Sequence, residues 1–162
     1  MRFYNNTHLY YCGIDLHARS LYVCIIDNEG TVLRHREIPA NPDKLKQLLE
    51  PYIGNIVVGV ECMHCGYWVS DFCNEINVNF ILGNALYMKA IHGGKAKNDR
   101  IDSYKIANLI RGGNFPLAYT YPKEMRATRD LLRRRTRIDR ASRGQSQGPC
   151  SQYHPPIQSA AK

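Results

Sequence analysis

The most constraining feature of the sequence is an apolar run, residues 10–14, that ends on an acidic residue, Asp15, and is followed by a second apolar run, Leu21 to Ile26. Bounded runs rich in aromatic and β-branched residues predict buried strands. An ionised carboxylate beside such a strand costs several kcal/mol unless a cation or hydrogen bonds compensate for it. Asp15 is therefore a candidate member of a metal-binding cluster, although an Asp also commonly begins a hairpin turn.

The rest of the pattern predicts strands and helices that alternate along the chain. Asn28-Glu29-Gly30 has the composition of a hairpin turn, and Asn41-Pro42 is typical of a helix start. The predicted order is three antiparallel strands (9–15, 21–27, 31–38), a helix from 42, a strand at 56–60, a helix at 67–76, a strand at 78–82, a short helix at 85–91 and a helix from 99. This order predicts an α/β fold of the ribonuclease H-like class, a mixed sheet flanked by helices, in which the first and fourth strands are neighbours.

Four acidic residues are placed where this fold would bring them together. Asp15 and Glu61 end the first and fourth strands, and Asp99 and Asp102 are three apart on one helix face. Four carboxylates at one end of a sheet can hold two Mg²⁺ ions, which suit phosphodiester chemistry. Each acid also has a purely structural interpretation. Glu61 could be the first polar residue after a strand. Asp99 could be a helix N-cap, with Asp102 in the first turn, where a negative charge is favourable.

Three segments carry a resemblance to a known family. Residues 13–17 (Gly-Ile-Asp-Leu-His), 58–65 (Val-Gly-Val-Glu-Cys-Met-His-Cys) and 97–102 (Lys-Asn-Asp-Arg-Ile-Asp) resemble, in order and spacing, the motifs of DEDD-type insertion-sequence transposases. The N-terminal domain of those proteins is similar to the RuvC Holliday-junction resolvase. The resemblance runs from about residue 10 to about residue 134, and it implies that Asp15, Glu61, Asp99 and Asp102 are the catalytic metal ligands.

The same resemblance implies an activity and partners. It implies Mg²⁺-dependent DNA strand cleavage and exchange in transposition, guided by a structured RNA, by a protein that acts as a homo-oligomer. Family members continue into a coiled coil and a second domain with a nucleophilic serine, neither of which follows in these 162 residues. We therefore expect a frameshift or premature stop, and a transposase that is incomplete. The alternatives are a catalytically silent nucleic-acid-binding remnant or a RuvC-like structure-specific nuclease.

Basic residues are concentrated near the C-terminus. Residues 123–162 contain ten of the 22 Lys and Arg residues but only three of the 14 acidic ones. Guanidinium groups pair well with phosphates, so a helix beginning after Pro122 is a candidate nucleic-acid-binding element, although such a helix could also be merely solvated. The candidate residues there are Arg126, Arg129, Arg133, Arg134, Arg135 and Arg137, and weaker candidates beside the last two acids are Lys95, Lys97 and Arg100.

The sequence predicts three regions: a RuvC-like domain over 1–118, an arginine-rich helix over 119–143 that would begin a truncated coiled coil, and a disordered tail over 144–162. The tail is rich in Gln, Ser, Pro and Gly. No stretch approaches the roughly 20 apolar residues that cross a bilayer, and the polar start favours a cytoplasmic location without membrane contact.

Two further chemistries are disfavoured. Sugar kinases and actin-type ATPases need a glycine-rich phosphate loop after the first strand, and residues 16–22 contain no glycine. Cys62 and Cys65 form a single Cys-x-x-Cys pair, which is a weak zinc signal without a second pair, so reduced, buried thiols are the preferred interpretation.

Overall fold

A computed structural model describes residues 2–61, 66–92 and 98–145. The chain divides into two compact units, Met1–Thr120 and Tyr121–Lys162. The first contains β1 (Tyr10–Leu16), β2 (Ser20–Asp27), β3 (Val32–Pro39), α1 (Pro42–Leu49), a short 3-10 helix (Glu50–Tyr52), β4 (Ile56–Glu61), α2 (Tyr67–Glu75), β5 (Asn79–Gly83), α3 (Ala85–His92) and α4 (Asp99–Arg111). The second unit contains α5 (Lys123–Gln145).

The five strands form one sheet in the order β3-β2-β1-β4-β5. β1 pairs antiparallel with β2, and β2 pairs antiparallel with β3. β4 lies parallel to β1 on its other side, and β5 lies parallel to β4. This mixed sheet with flanking helices confirms the ribonuclease H-like prediction, including the adjacency of the first and fourth strands. The 3-10 helix after α1 is the one described element that the pattern did not predict.

The strands alternate between two buried faces because successive side chains of a strand point to opposite sides. Cys12, Ile14 and Leu16 of β1 join a cluster with the apolar residues of α1 and α2. Tyr11 joins a second cluster on the other face with Ile106 and other residues of α4. Asp15 has the odd-numbered parity of Tyr11, so it lies on the face that α4 covers.

Two glycines let α4 approach this face closely. A Cβ atom at Gly13 of β1 would overlap the carbonyl oxygen of Ser103 and the backbone nitrogen of Ala107. A Cβ atom at Gly59 of β4 would overlap the side chain of Ile110. Residues without a side chain at these positions therefore set the distance between the central strands and α4.

The start of α4 is fixed by a side-chain cap. Asn98 has an extended backbone, and its Oδ1 accepts a hydrogen bond from the Arg100 backbone N–H at 3.0 Å. An Asn at this position satisfies one of the N–H groups that the first turn of a helix leaves without a partner. The cap thus defines where the first turn, with Asp99 and Asp102, begins.

Several predictions fall on residues outside the described ranges: the Cys62/Cys65 pair, Lys95, Lys97 and the disordered tail beyond residue 145. Within the described ranges, no helix combines the length and apolarity that crossing a bilayer requires.

Candidate metal centre

Asp15 is held on a rigid strand close to the end of β1. Its register partner on β2 is Tyr22. On the other side, the last β1–β4 pair is Ile14 with Val60, and Glu61 is the next residue of β4. The Asp15 side chain is 14% exposed. The fold therefore places a mostly buried carboxylate between two neighbouring strands, facing α4.

α4 brings two more carboxylates to the same end of the sheet. Ser103, Ile106 and Ile110 form the buried stripe of this helix. Asp99 and Asp102 continue that stripe at intervals of three and four residues toward the N-terminus, so they emerge where the helix passes the end of β1. The side chain of Asp99 is 50% exposed, and that of Asp102 is 28% exposed.

His17 lies between the strand and the helix, and the sequence pattern did not predict a role for it. Its Nε2 atom lies 3.6 Å from Asp15 Oδ2 and 3.1 Å from Asp99 Oδ2. The signal that could have identified it was the strand period: residues 13, 15 and 17 share one face. The structure shows that His17 stands between two of the four predicted acids.

The carboxylates interact electrostatically. Burial raises the pKa of Asp15, and the neighbouring charges of Asp99 and Asp102 raise it further, while His17 acts in the opposite direction. These effects place Asp15, Asp99 and Asp102 within electrostatic reach of one another. Asp102 also has a cation nearby, because Lys105 Nζ lies 3.4 Å from Asp102 Oδ1.

Glu61 is brought to the same edge by strand register. It is the last residue of β4, it pairs with Gly83 of β5, and its side chain is half-buried. Glu61 shares the odd-numbered parity of Val57 and Gly59, both of which face α4. Strand register therefore places Glu61 toward the same end of the sheet as Asp15. Among the described residues, the ligand atoms that lie within reach of one another are those of Asp15, His17 and Asp99, and this group does not include Glu61 or Asp102.

The donor set fits a divalent cation. One ligand atom each from Asp15, His17 and Asp99 lies within 4.8 Å of the other two. Carboxylate oxygens are the ligands that hard divalent ions prefer, and accumulated negative charge at Asp15 is what such an ion would neutralise. The residues present are thus suited to holding a divalent metal.

Some of the predicted nucleic-acid-binding arginines contact Tyr121, and the others are exposed. Arg126 Nε donates to the Tyr121 carbonyl at 3.1 Å, and the Arg129 guanidinium lies 5.2 Å from the centre of the Tyr121 ring. The predicted residues Arg133, Arg134, Arg135 and Arg137 are exposed on α5. Arg135 also lies 3.9 Å from Asp139. Arg100 is exposed in the first turn of α4.

The sequence matches a known family over most of its length. Residues 12–145 match the model DEDD_Tnp_IS110, which is described as a transposase. The chain belongs to this transposase family. The match covers all four acids and α5, and it confirms the membership that the three motifs predicted.

A curated relative gives the scale of a family member. The chain is 25% identical over 134 residues to the transposase for insertion sequence element IS1533 from Leptospira borgpetersenii. That alignment covers 77% of this chain and 38% of the relative. The chain therefore spans well under half the length of this curated transposase.

The solved structures include RuvC of Thermus thermophilus. The free protein is 15% identical, with a TM-score of 0.46, and the match covers 67% of this chain and 99% of RuvC. RuvC of the same organism in complex with a Holliday junction substrate has a TM-score of 0.45 at 15% identity, covering 68% of this chain and all of that one (100%).

Proposed function

We propose that this chain is the DNA-binding and DNA-cleaving N-terminal part of an insertion-sequence transposase. The observation that carries the proposal is the placement of ligand atoms of Asp15, His17 and Asp99 within 4.8 Å of one another, with Asp102 in the first turn of α4 and Glu61 at the end of the neighbouring strand β4. Family membership supports the same function because the match spans all four acids.

In the proposed mechanism, Asp15, Glu61, Asp99 and Asp102 would hold Mg²⁺. The ion, when bound, would activate an attacking hydroxyl and stabilise the leaving oxygen of a phosphodiester. The protein's own contribution is positioning. Asp15 and Glu61 are fixed by parallel strands, while Asp99 and Asp102 are fixed by a capped helix that packs against Gly13 and Gly59. Such rigid placement is what metal-assisted strand cleavage requires.

DNA binding is assigned to α5, to Lys95 and Lys97, which precede the last two acids in the sequence, and to Arg100 in the first turn of α4. The guanidinium groups of Arg133, Arg134 and Arg137 are exposed and would contact backbone phosphates, which makes binding sensitive to salt. Arg135 would join them, and Arg126 and Arg129 would complete the same basic helix. The domain limits at 118 and 143 belong to this proposal, with the arginine-rich helix as a separate element.

A structured guide RNA and self-association are further parts of the proposal. RNA presents the same phosphate charge as DNA, so an arginine-rich helix suits both. Leu131 and Ile138 are 66% and 64% exposed and lie seven residues apart on α5. Apolar residues with this spacing are typical of a coiled-coil seam, which supports homo-oligomer formation through α5.

The test is cleavage of branched DNA by the full chain with and without Mg²⁺. We expect Mg²⁺-dependent cleavage that Asp15→Asn reduces at least about 100-fold, because the substitution removes a ligand charge from the site. Asp43→Asn is the matched control, since Asp43 is a carboxylate in the first turn of α1. Cleavage that persists in Asp15→Asn would contradict the proposed site, and DNA binding without cleavage would support a binding role alone.

A further inference from the structure

His17 is an imidazole placed inside a site that is otherwise made of carboxylates. Its backbone N–H donates to the Ser20 carbonyl at 3.0 Å, which fixes the tight turn between β1 and β2. Its Nε2 atom lies within 3.6 Å of Asp15 Oδ2 and 3.1 Å of Asp99 Oδ2. The side chain is 44% exposed, so core packing does not account for its position.

An imidazole ligand changes which ions a site prefers. Mg²⁺ is a hard ion that is held by carboxylates and water, whereas imidazole suits the transition-metal ions. The affinity of a mixed nitrogen and oxygen site rises along the series from Mn²⁺ to Cu²⁺. A nitrogen donor among the acids therefore favours Mn²⁺ and its successors over Mg²⁺.

We propose that His17 is a direct ligand of the metal held by Asp15 and Asp99, and that it gives this centre a preference for Mn²⁺ over Mg²⁺. The inference rests on the proposed function, because it assumes that Asp15 and Asp99 hold a divalent ion. The geometric basis is that Nε2 and one oxygen from each acid already lie within 4.8 Å of one another. The alternative role is an ion pair that merely orients Asp99.

The first measurement is metal affinity. The full chain is titrated with Mn²⁺, and bound ion is read from loss of the free-ion electron paramagnetic resonance signal. Mg²⁺ affinity follows from competition at the same fixed pH. Loss of a supporting partner typically weakens metal binding 10- to 100-fold, so His17→Ala should weaken Mn²⁺ binding at least about tenfold. Mg²⁺ binding should change less, and the preference for Mn²⁺ should therefore shrink.

Arg19→Ala is the matched control. Arg19 is exposed in the same turn as His17 and offers no metal-ligating atom. Removing its charge changes the attraction of both dications equally, so the ratio of the two affinities should stay at the wild-type value. If His17→Ala leaves that ratio unchanged as well, the ligand role is wrong.

A spectroscopic signature separates ligation from orientation. Electron spin-echo envelope modulation of bound Mn²⁺ should show nitrogen coupling in the wild type and in Arg19→Ala, and should lose it in His17→Ala. Mn²⁺ that binds in an Asp15-dependent manner without nitrogen coupling would overturn the role of His17 and leave the proposed metal site standing. Failure of the wild type to bind either ion would overturn both.

Discussion

The acidic end of the sheet and the arginine-rich helix α5 carry charge of opposite sign, and the chain builds them in opposite ways. The acids are spread over residues 15, 61, 99 and 102. Pairing of β1 with β4 places Glu61 near the end of β1, and packing of α4 brings Asp99 to Asp15 and His17. The arginines of α5 lie within one helix, Lys123–Gln145, whose residues 131–141 are all exposed. A cluster of negative charge thus depends on the whole fold, whereas the positive one depends on a single local element.

The difference has a physical origin. Burial disfavours the charged form of a carboxylate, and nearby like charges add to this effect. Burial first, and then the charges of Asp99 and Asp102, raise the pKa of Asp15. Neighbouring buried carboxylates persist only if the surrounding structure fixes their positions and if other interactions offset their unfavourable free energy. Arginines on an exposed helix are solvated and separated by water, so they need no such scaffold. We therefore expect the acidic end to be sensitive to packing and α5 to be sensitive mainly to charge.

The largest expected effect is a loss of stability that results from a packing clash. Gly13→Ala should lower the free energy of unfolding by about 3 kcal/mol or more, because the new Cβ atom meets backbone atoms of α4 that cannot rotate away. Denaturant unfolding followed by circular dichroism measures this loss.

Ala127→Val in α5 is the comparison variant. It adds two carbons to an exposed helical position and should cost only about 0.5 kcal/mol through helix propensity. If Gly13→Ala and Ala127→Val lower the free energy of unfolding equally, the acidic end is no more sensitive to packing than α5, and the proposed contrast is wrong.

The next effect is on DNA affinity. Replacing Arg133, Arg134 and Arg137 by Gln should weaken binding by one to two orders of magnitude and reduce the salt dependence of log K by up to about 3, since each lost phosphate contact removes about 0.9. Fluorescence anisotropy over a range of salt concentrations measures both quantities.

Lys44→Gln and Lys46→Gln together on α1 form the control, because they remove exposed positive charge from a helix outside the proposed interface. We expect little change in the salt slope for this variant. If it lowers the slope as much as the α5 variant does, binding is a property of overall charge and α5 has no special role.

The smallest expected effect is a gain in stability. Because the pKa of Asp15 is raised in the folded state, folding binds protons, and stability falls as pH rises from the unfolded pKa through the folded one. Asp15→Asn removes this penalty. Without metal it should raise the free energy of unfolding at neutral pH, and the gain should vanish below about pH 4, where the carboxyl is protonated in both states.

Asp130→Asn in α5 provides the contrast. Asp130 accepts from Arg129 Nη1 at 2.9 Å, so neutralising it removes a favourable pair and should cost up to about 1 kcal/mol. If both Asp15→Asn and Asp130→Asn raise the free energy of unfolding, the carboxylates at the acidic end are no more destabilising than the carboxylate of Asp130. Added Mg²⁺ should reduce the advantage of Asp15→Asn, because ligand binding stabilises the wild type.

The sequence by itself determined the element order, the ribonuclease H-like class and the location of the acids at element ends. Strand period and turn residues act within a few positions, so Asp15 after an apolar run and a helix beginning near Asp99 could be predicted. The cap itself is Asn98 and not Asp99, which was the residue that the sequence suggested. The arginine-rich helix could be predicted for the same reason, because its pattern is local.

Only the tertiary structure decided which side chains meet. His17 and Asp99 are 82 positions apart in the chain, and their 3.1 Å contact arises because Gly13 allows α4 to cross the end of β1. No local pattern encodes that crossing, because it results from packing two distant elements against one face of a sheet. The residues of the site were therefore visible in the sequence, whereas the imidazole among its carboxylates became visible only in three dimensions.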